Sequence, residues 1–156
     1  MGVAGSGKTT IGRALAAELG WTFVDADEHH SRRNLEKMRA GDPLNDRDRG
    51  EWLLALQSIV GRALARREHI VLACSALKER YRALLTGDLH PVRLVFLKAP
   101  KALLYERNAN NPSSLYGAEL LAMQIADLEE PEEALVLDAS QRPEDLLGAI
   151  RREYGI

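Results

Sequence analysis

Cysteine is nearly absent from this 156-residue chain: the one present, Cys74, excludes an intrachain disulfide and fits a reducing compartment. Charge of one sign is also lacking. A net charge of −2 gives no reason to expect nucleic acid or an anionic membrane as a partner. No apolar run approaches the roughly 18 residues of a membrane span, and no leader pattern opens the chain, so the expectation is a cytoplasmic protein. Internal repeats and low-complexity tracts are missing too. What remains is ordinary for a globular domain, with 46 % hydrophobic and 28 % charged residues, and the length suits a single domain spanning 1–156 with one core.

The most informative stretch is the first. Gly2-Val-Ala-Gly5-Ser6-Gly7-Lys8-Thr9 fits G-x-x-x-x-G-K-[ST], the phosphate-binding loop. Glycines let successive backbone N–H groups turn inward around a phosphate, because no Cβ blocks the approach. A helix predicted over roughly Lys8 to Leu19 points its positive end at the same place, with Ile11, Leu15 and Leu19 on one face. Gly2, Gly5, Ser6, Gly7, Lys8, Thr9 and Thr10 are therefore candidate nucleotide-binding residues. Lys8 reaches for the β/γ-phosphates and the Thr9 hydroxyl for Mg²⁺, which makes Mg-ATP the expected cofactor pair. Such a loop normally follows a buried strand, yet only Met1 precedes Gly2, so the expectation is a sheet whose first, central strand is missing.

Strand and helix signals alternate along the rest. Strands are predicted at Trp21–Val24, Ile70–Cys74, Val92–Leu97 and Ala134–Leu137. Helices are predicted over about Ser31–Arg39, Asp48–Arg67, Leu77–Leu85 with Ser75 as cap, Pro100–Arg107, Gly117–Leu128, and Arg142 to about Tyr154. The fold class is α/β, a parallel sheet with helices on both faces, and binding is expected at the carboxyl ends of the strands.

Asp25 and Asp27 flank one residue directly after a strand, and i and i+2 there face the same way. Phosphoryl transfer to a hydroxyl needs one group on Mg²⁺ and one on the acceptor. Asp25 is assigned to the metal with Thr9, and Asp27 to the acceptor hydroxyl. The pair His29-His30 has no third ligand at a metal-binding spacing; a substrate hydrogen bond from His30 is expected instead. Arg32, Arg33, Lys37, Arg47, Arg49, Lys78, Arg80 and Arg82 supply more cations than a helix surface requires, and one or two of them would suit an anionic acceptor. Cys74, in an apolar strand, reads as a small core residue.

The run Asp25-Ala-Asp-Glu-His-His30-Ser-Arg-Arg-Asn34-Leu-Glu-Lys-Met38, then Gly41-Asp-Pro-Leu-Asn-Asp46-Arg-Asp-Arg49 and Trp52-Leu53, closely resembles the gluconokinases. So do Ala73-Cys-Ser-Ala-Leu-Lys78 with Tyr81-Arg82, and Leu120-Leu121 with Gln124 and Leu128-Glu-Glu-Pro131. The resemblance implies an adenylate- or shikimate-kinase-like P-loop fold, a homodimer, and Mg-ATP-dependent phosphorylation of the 6-hydroxyl of D-gluconate. It also implies Lys8 and Asp27 as catalytic residues, Asp27, His30, Arg49 and Lys78 on the gluconate side, and Gly5 to Thr9 on the phosphates.

One segment departs from the pattern. The family's lid, an arginine followed two residues later by Gly-His-Phe, falls on Asn111 and Ser113-Ser114-Leu115, within a lid-like stretch at about 108–116. From Asn108 to Gln141 there is no lysine or arginine, which leaves Arg107, at the preceding helix end, as the cation expected near the nucleotide. The expectation is intact binding residues with weakened catalysis. A kinase for another sugar acid or a shikimate-like acceptor, and an inactive nucleotide-binding paralogue, remain open alternatives at this point.

Overall fold

A computed structural model describes residues 1–87, 92–111, 114 and 117–156. Its first helix, α1 (Lys8–Leu19), ends where the Gly20 N–H closes on the Ala16 carbonyl, and the chain turns at once into β1 (Thr22–Asp25). A single 3₁₀ turn, Ala26–His29, leads to α2 (Arg32–Arg39), whose Ser31 cap accepts from the Asn34 N–H. The long α3 (Asp46–Arg66) starts in a reciprocal capping box between Asn45 and Asp48. The remaining elements are β2 (Ile70–Ala73), α4 (Glu79–Thr86), β3 (Val95–Lys98), α5 (Lys101–Ala109), α6 (Ala118–Asp127), β4 (Leu135–Asp138) and α7 (Pro143–Tyr154). The four strands and their alternation with helices follow the sequence expectation, with ends moved by one to three residues.

One local expectation fails. Ser75 does not cap a helix at Leu77. The helix starts at Glu79, with Lys78 at its N-cap and no cap bond from that side chain. The Ser75 carbonyl accepts from the Gly2 N–H at 3.4 Å, Ala76 takes φ 44°, and the Glu79 N–H is satisfied from far away by Glu129 Oε2 at 2.6 Å. A tertiary partner has replaced the local cap.

The strands form two parallel pairs, β1 with β2 and β3 with β4. Between β2 and β3 runs the backbone of Met1 and Gly2. Met1 accepts from the Leu97 N–H at 3.0 Å and donates its amino group to the Val95 carbonyl. Bonds to the two residues flanking Phe96 are the pattern of a parallel ladder, so Met1 sits as one rung opposite Phe96. Gly2 bonds across to Ser75 on the other side. Met1 and Gly2 thus form a short strut between the two pairs, beside a groove lined by Lys8, Ile11, Val71, Ala73, Val95 and Leu97.

Helices cover both faces of the strands, and the alternation of strand side chains shows it. Val71 packs with α1 and α7, around Ile11, Leu15, Leu146 and Ile150, whereas its neighbour Leu72 packs with α3 and α4, around Trp52, Leu56, Tyr81 and Leu85. The single expected core is therefore divided in two by the strands. A third apolar cluster joins Val3 and Ala4 to Leu77, Leu104 and Leu121. Leu121 is 0 % exposed, and burial of such a side chain contributes about 1.5–3 kcal/mol. The back of the glycine-rich loop is thereby fastened to α5 and α6.

Candidate active site

Backbone conformation dictates the glycines of the loop. Gly5 (φ 78°) and Gly7 (φ 93°) lie in left-handed backbone, and a Cβ on Gly5 would meet the Leu104 carbonyl at 2.9 Å. Nothing stands within 4 Å of the Cβ position of Gly7. There the loop opens, and the first-turn N–H groups of α1 have no helical partners, as at any helix start. The chain thus presents a ring of donors and a positive helix end, the arrangement that receives phosphates. Ser6 Oγ is buried with no hydrogen-bond partner in the same loop.

Lys8 extends from this ring and donates to the Val3 carbonyl at 2.9 Å. Burial lowers its pKa below the ordinary lysine value, opposed chiefly by the negative charge of Asp27 and less by Asp25. Thr9 Oγ1 donates to Asp25 Oδ2 at 2.9 Å, and Asp25 Oδ1 accepts from the Asp27 N–H at 3.2 Å, capping the 3₁₀ turn. Both aspartates are thus close enough for their charge to act on the lysine, and both lie at the end of β1. Thr9 and Asp25 offer two adjacent oxygens, the hard donors that Mg²⁺ takes alongside water and phosphate. This donor set fits Mg²⁺. Among the described residues no three His, Cys, Asp or Glu side chains gather into a metal cage. Arg107 donates to the Gly5 carbonyl at 3.5 Å and to the Ala139 carbonyl at 3.0 Å, bridging the outer side of the loop to the chain after β4.

Beside the loop opens a cleft of about 690 Å³, walled by His30, Arg49, Trp52, Tyr81, Gln124 and Asp127, with Asp42 and Ser75 also on its surface. Its geometry starts at Trp52, whose Nε1 donates to the Ala26 carbonyl at 2.7 Å and so pins the turn that carries Asp27. His30 stacks on the Trp52 ring, centroids 4.5 Å apart. The histidine side chain is 4 % exposed, and its Nε2 lies 4.0 Å from Asp27 Oδ1. Nδ1 is buried with no hydrogen-bond partner. Burial, followed by the nearby Arg49 charge, pushes the His30 pKa down to about 4, so the ring is neutral at pH 7. Arg49 itself lies over the Tyr81 ring, 5.7 Å from its centroid, with Nη1 3.4 Å from the Tyr81 hydroxyl. That hydroxyl donates to Asp46 at 2.6 Å, which holds the ring still.

Of the basic residues singled out in the sequence, Arg49 alone lines this cleft among the described residues. Lys37 pairs with Asp48, Arg80 with Asp46, and Arg32 with Glu36. Arg82 is buried on the carbonyls of Ala76, Leu77 and Glu129 and is structural. Lys78 is not on the wall either; its ammonium lies 3.3 Å from Asp127, which is. Burial pushes the Cys74 thiol up to about 12, in keeping with a core role. In the lid-like stretch, Asn111 follows α5 and Ser114 Oγ donates to Asn108 at 2.6 Å, whereas Ser113 and Leu115 lie outside the described residues. Sequence reasoning missed Gln124, Asp127 and Asp42 as site residues. For Gln124 the signal was present, a lone amide in the apolar stripe of Leu120, Leu121 and Leu128. Asp42 and Asp127 carried none, since nothing local sets them apart from the chain's other acids.

A shikimate kinase family model matches residues 4–144. The gluconokinase of Gluconobacter oxydans is 36 % identical over 157 residues, covering 99 % of this chain and 88 % of its own length. A probable gluconokinase of Xenopus tropicalis is 58 % identical over 89 residues, covering 56 % of this chain and 47 % of its own length. Among solved structures, a gluconokinase from Sinorhizobium meliloti superposes with a TM-score of 0.82 at 36 % identity, covering 96 % of this chain and 85 % of that one.

Proposed function

We propose a function from one premise: the chain belongs to the gluconokinase family of P-loop kinases. It phosphorylates the 6-hydroxyl of D-gluconate with ATP and Mg²⁺. The observation that carries this reading is the adjacency of two chemistries, the Lys8–Thr9–Asp25 cluster and a cleft whose described wall has one cation, Arg49, amid neutral and acidic groups. A sugar acid offers one carboxylate and several hydroxyls. Arg49 suits the first by its forked donors, and His30, Asp42 and Asp127 suit the second.

Mg-ATP, when bound, supplies the phosphoryl group and spreads part of its charge onto the metal. Thr9 and Asp25 would hold the metal. Lys8 would release the Val3 carbonyl to reach the phosphates, which Gly2, Gly5, Ser6, Gly7 and Thr10 would help to bind, with Arg107 as a further nucleotide-binding residue. Asp27 takes the acceptor proton, and its nearness to Lys8 and His30 keeps it oriented. Arg49 fixes the acid end of the acceptor, so most of the rate arises from positioning and charge. Lys78 acts from the rim through its pair with Asp127. A homodimer working in the cytoplasm, with residues 108–116 as a lid on a single kinase domain, completes the proposal on the strength of the resemblance.

The test is a coupled ADP-release assay over a panel of sugar acids. Gluconate-dependent turnover is expected. A folded protein that binds Mg-ATP and phosphorylates no acid would overturn the reading.

A further inference from the structure

One hydrogen bond in the site joins its two halves and has no part in the chemistry above. The Ala4 N–H, in the phosphate loop, donates to Gln124 Oε1 at 2.8 Å. Gln124 stands on α6 and lines the acceptor cleft. Ala4 is 7 % exposed, so its N–H has no ready access to water, and the side-chain amide satisfies a donor that would otherwise be stranded. The bond also settles which way the amide faces, since only its oxygen can accept from a backbone N–H. Both Nε2 hydrogens are left over, and among the described residues no group accepts them. Leu120 and Leu121, one turn earlier on α6, are buried at 6 % and 0 %, which anchors the helix that presents this amide.

Resting on the gluconate reading, we propose that Gln124 ties the acceptor to the phosphate loop. Its oxygen holds Ala4, and its Nε2 donates to the acceptor hydroxyl next to the one phosphorylated. The acceptor chain is thereby registered against the loop that carries the phosphoryl group. The bond to Ala4 accounts for the oxygen of this amide; the donor end, on a residue that lines the acceptor cleft, is what the proposal assigns to the polyol.

The experiment is a cycle between the protein and its substrate, in which the full chain and Gln124→Met are each assayed with D-gluconate and with 5-deoxy-D-gluconate. In the unmodified protein, removing the 5-hydroxyl should lower kcat/KM about tenfold, the scale of one hydrogen bond to a neutral group. In Gln124→Met, kcat/KM for gluconate should fall at least as far, and removing the 5-hydroxyl should cost nothing more. Gln124→Glu keeps an oxygen for Ala4 but loses the donor, so it too should cease to distinguish the two acids, and it serves if the Met variant does not fold. Equal discrimination by variants and unmodified protein would overturn the role of Gln124 while leaving gluconate phosphorylation standing. An unmodified protein that neither binds nor phosphorylates gluconate would overturn both.

Discussion

The two sides of the site are built differently. The phosphate side comes from one continuous stretch, Gly2 to Thr9, plus two aspartates at the end of β1, and most of its geometry is backbone. The acceptor side is gathered from residues 30, 42, 49, 52, 75, 81, 124 and 127, and its geometry is side-chain stacking and pairing. Loop conformation fixed by glycine φ values tolerates little variation, so that side says only that phosphate is bound. The assembled side can change one wall residue at a time, so it is where the substrate is chosen. Gln124 crosses the boundary, which is why its loss should affect both.

The largest effect should come from the phosphate side. Lys8→Ala removes the cation proposed to reach the transferring group. Its kcat should drop by about 10²–10³, the usual cost of deleting a stabilising donor, with gluconate affinity, measured by calorimetry, little changed. Turnover at the unmodified rate would remove the loop from the mechanism. On the other side, Arg49→Ala deletes the charge-assisted bond assigned to the carboxylate. KM for gluconate should rise about 10- to 100-fold, in line with 1.5–3 kcal/mol for such bonds, while KM for ATP stays put. If ATP affinity fell with it, the two sides would not be separable in the way drawn here.

The same difference explains what was legible in the sequence. The phosphate side was almost wholly readable, because the residues that make it are adjacent and their spacing is the geometry. So were Asp25 and Asp27, through the two-residue period of a strand end. The four strands and the two-faced helical cover also followed from apolar runs and their alternation. The acceptor wall was readable only in part. His30 was expected at the substrate from the histidine pair after the strand, and Arg49 came through the family resemblance, yet nothing local said that His30 stacks on Trp52 or that Lys78 faces Asp127 at the rim. Those contacts join residues far apart in the chain. Ser75 shows the reverse error: a good local cap signal was overridden by Gly2 and Glu129. Arg82 looked like a ligand for an anion because buried arginines that cap carbonyls carry no sequence mark of their own.

A smaller gain tests whether the phosphate side lacks a cation from above. Between Asn108 and Gln141 there is no lysine or arginine, and the resemblance assigns Asn111 to the position of the family's lid arginine. Arginines evolved to contact the transferring group contribute about 10³–10⁵ in rate. Asn111→Arg, placed without the rest of the lid sequence, should recover a small part of that, on the order of tenfold in kcat, with KM for gluconate unchanged. An unaltered kcat would argue against the register assigned to that stretch.

The smallest effect is a pH dependence that belongs to the acceptor side alone. His30 is held neutral by burial and then by Arg49, while Asp27 stands 4.0 Å away and Asp42 and Asp127 share the cleft wall. The folded pKa is about 4 and the ordinary value 6.5. Between those values the unfolded chain takes up a proton at His30 that the folded chain refuses, so stability must rise with pH across this window. The contribution is complete above pH 6.5 and is lost as pH falls toward 4. Asp46 and Asp48, whose carboxyls are held below their ordinary 3.8 mainly by Tyr81 and Lys37, respectively, lose their contributions only at lower pH, which keeps the two effects apart. In a chain of this size each kcal/mol of linked stability moves Tm by about 2–4 °C. Thermal melts of the unmodified protein should therefore drop by several degrees between pH 7 and pH 4.5, and His30→Gln should flatten that slope. The Gln amide keeps a polar, uncharged group against Trp52 and has no proton to gain. An identical slope in the variant would mean that His30 takes up its proton as readily in the folded chain as in the unfolded one, as pH falls below 6.5. The acceptor wall would then carry two cations, a charge that suits a dianionic acceptor better than a sugar acid with a single carboxylate.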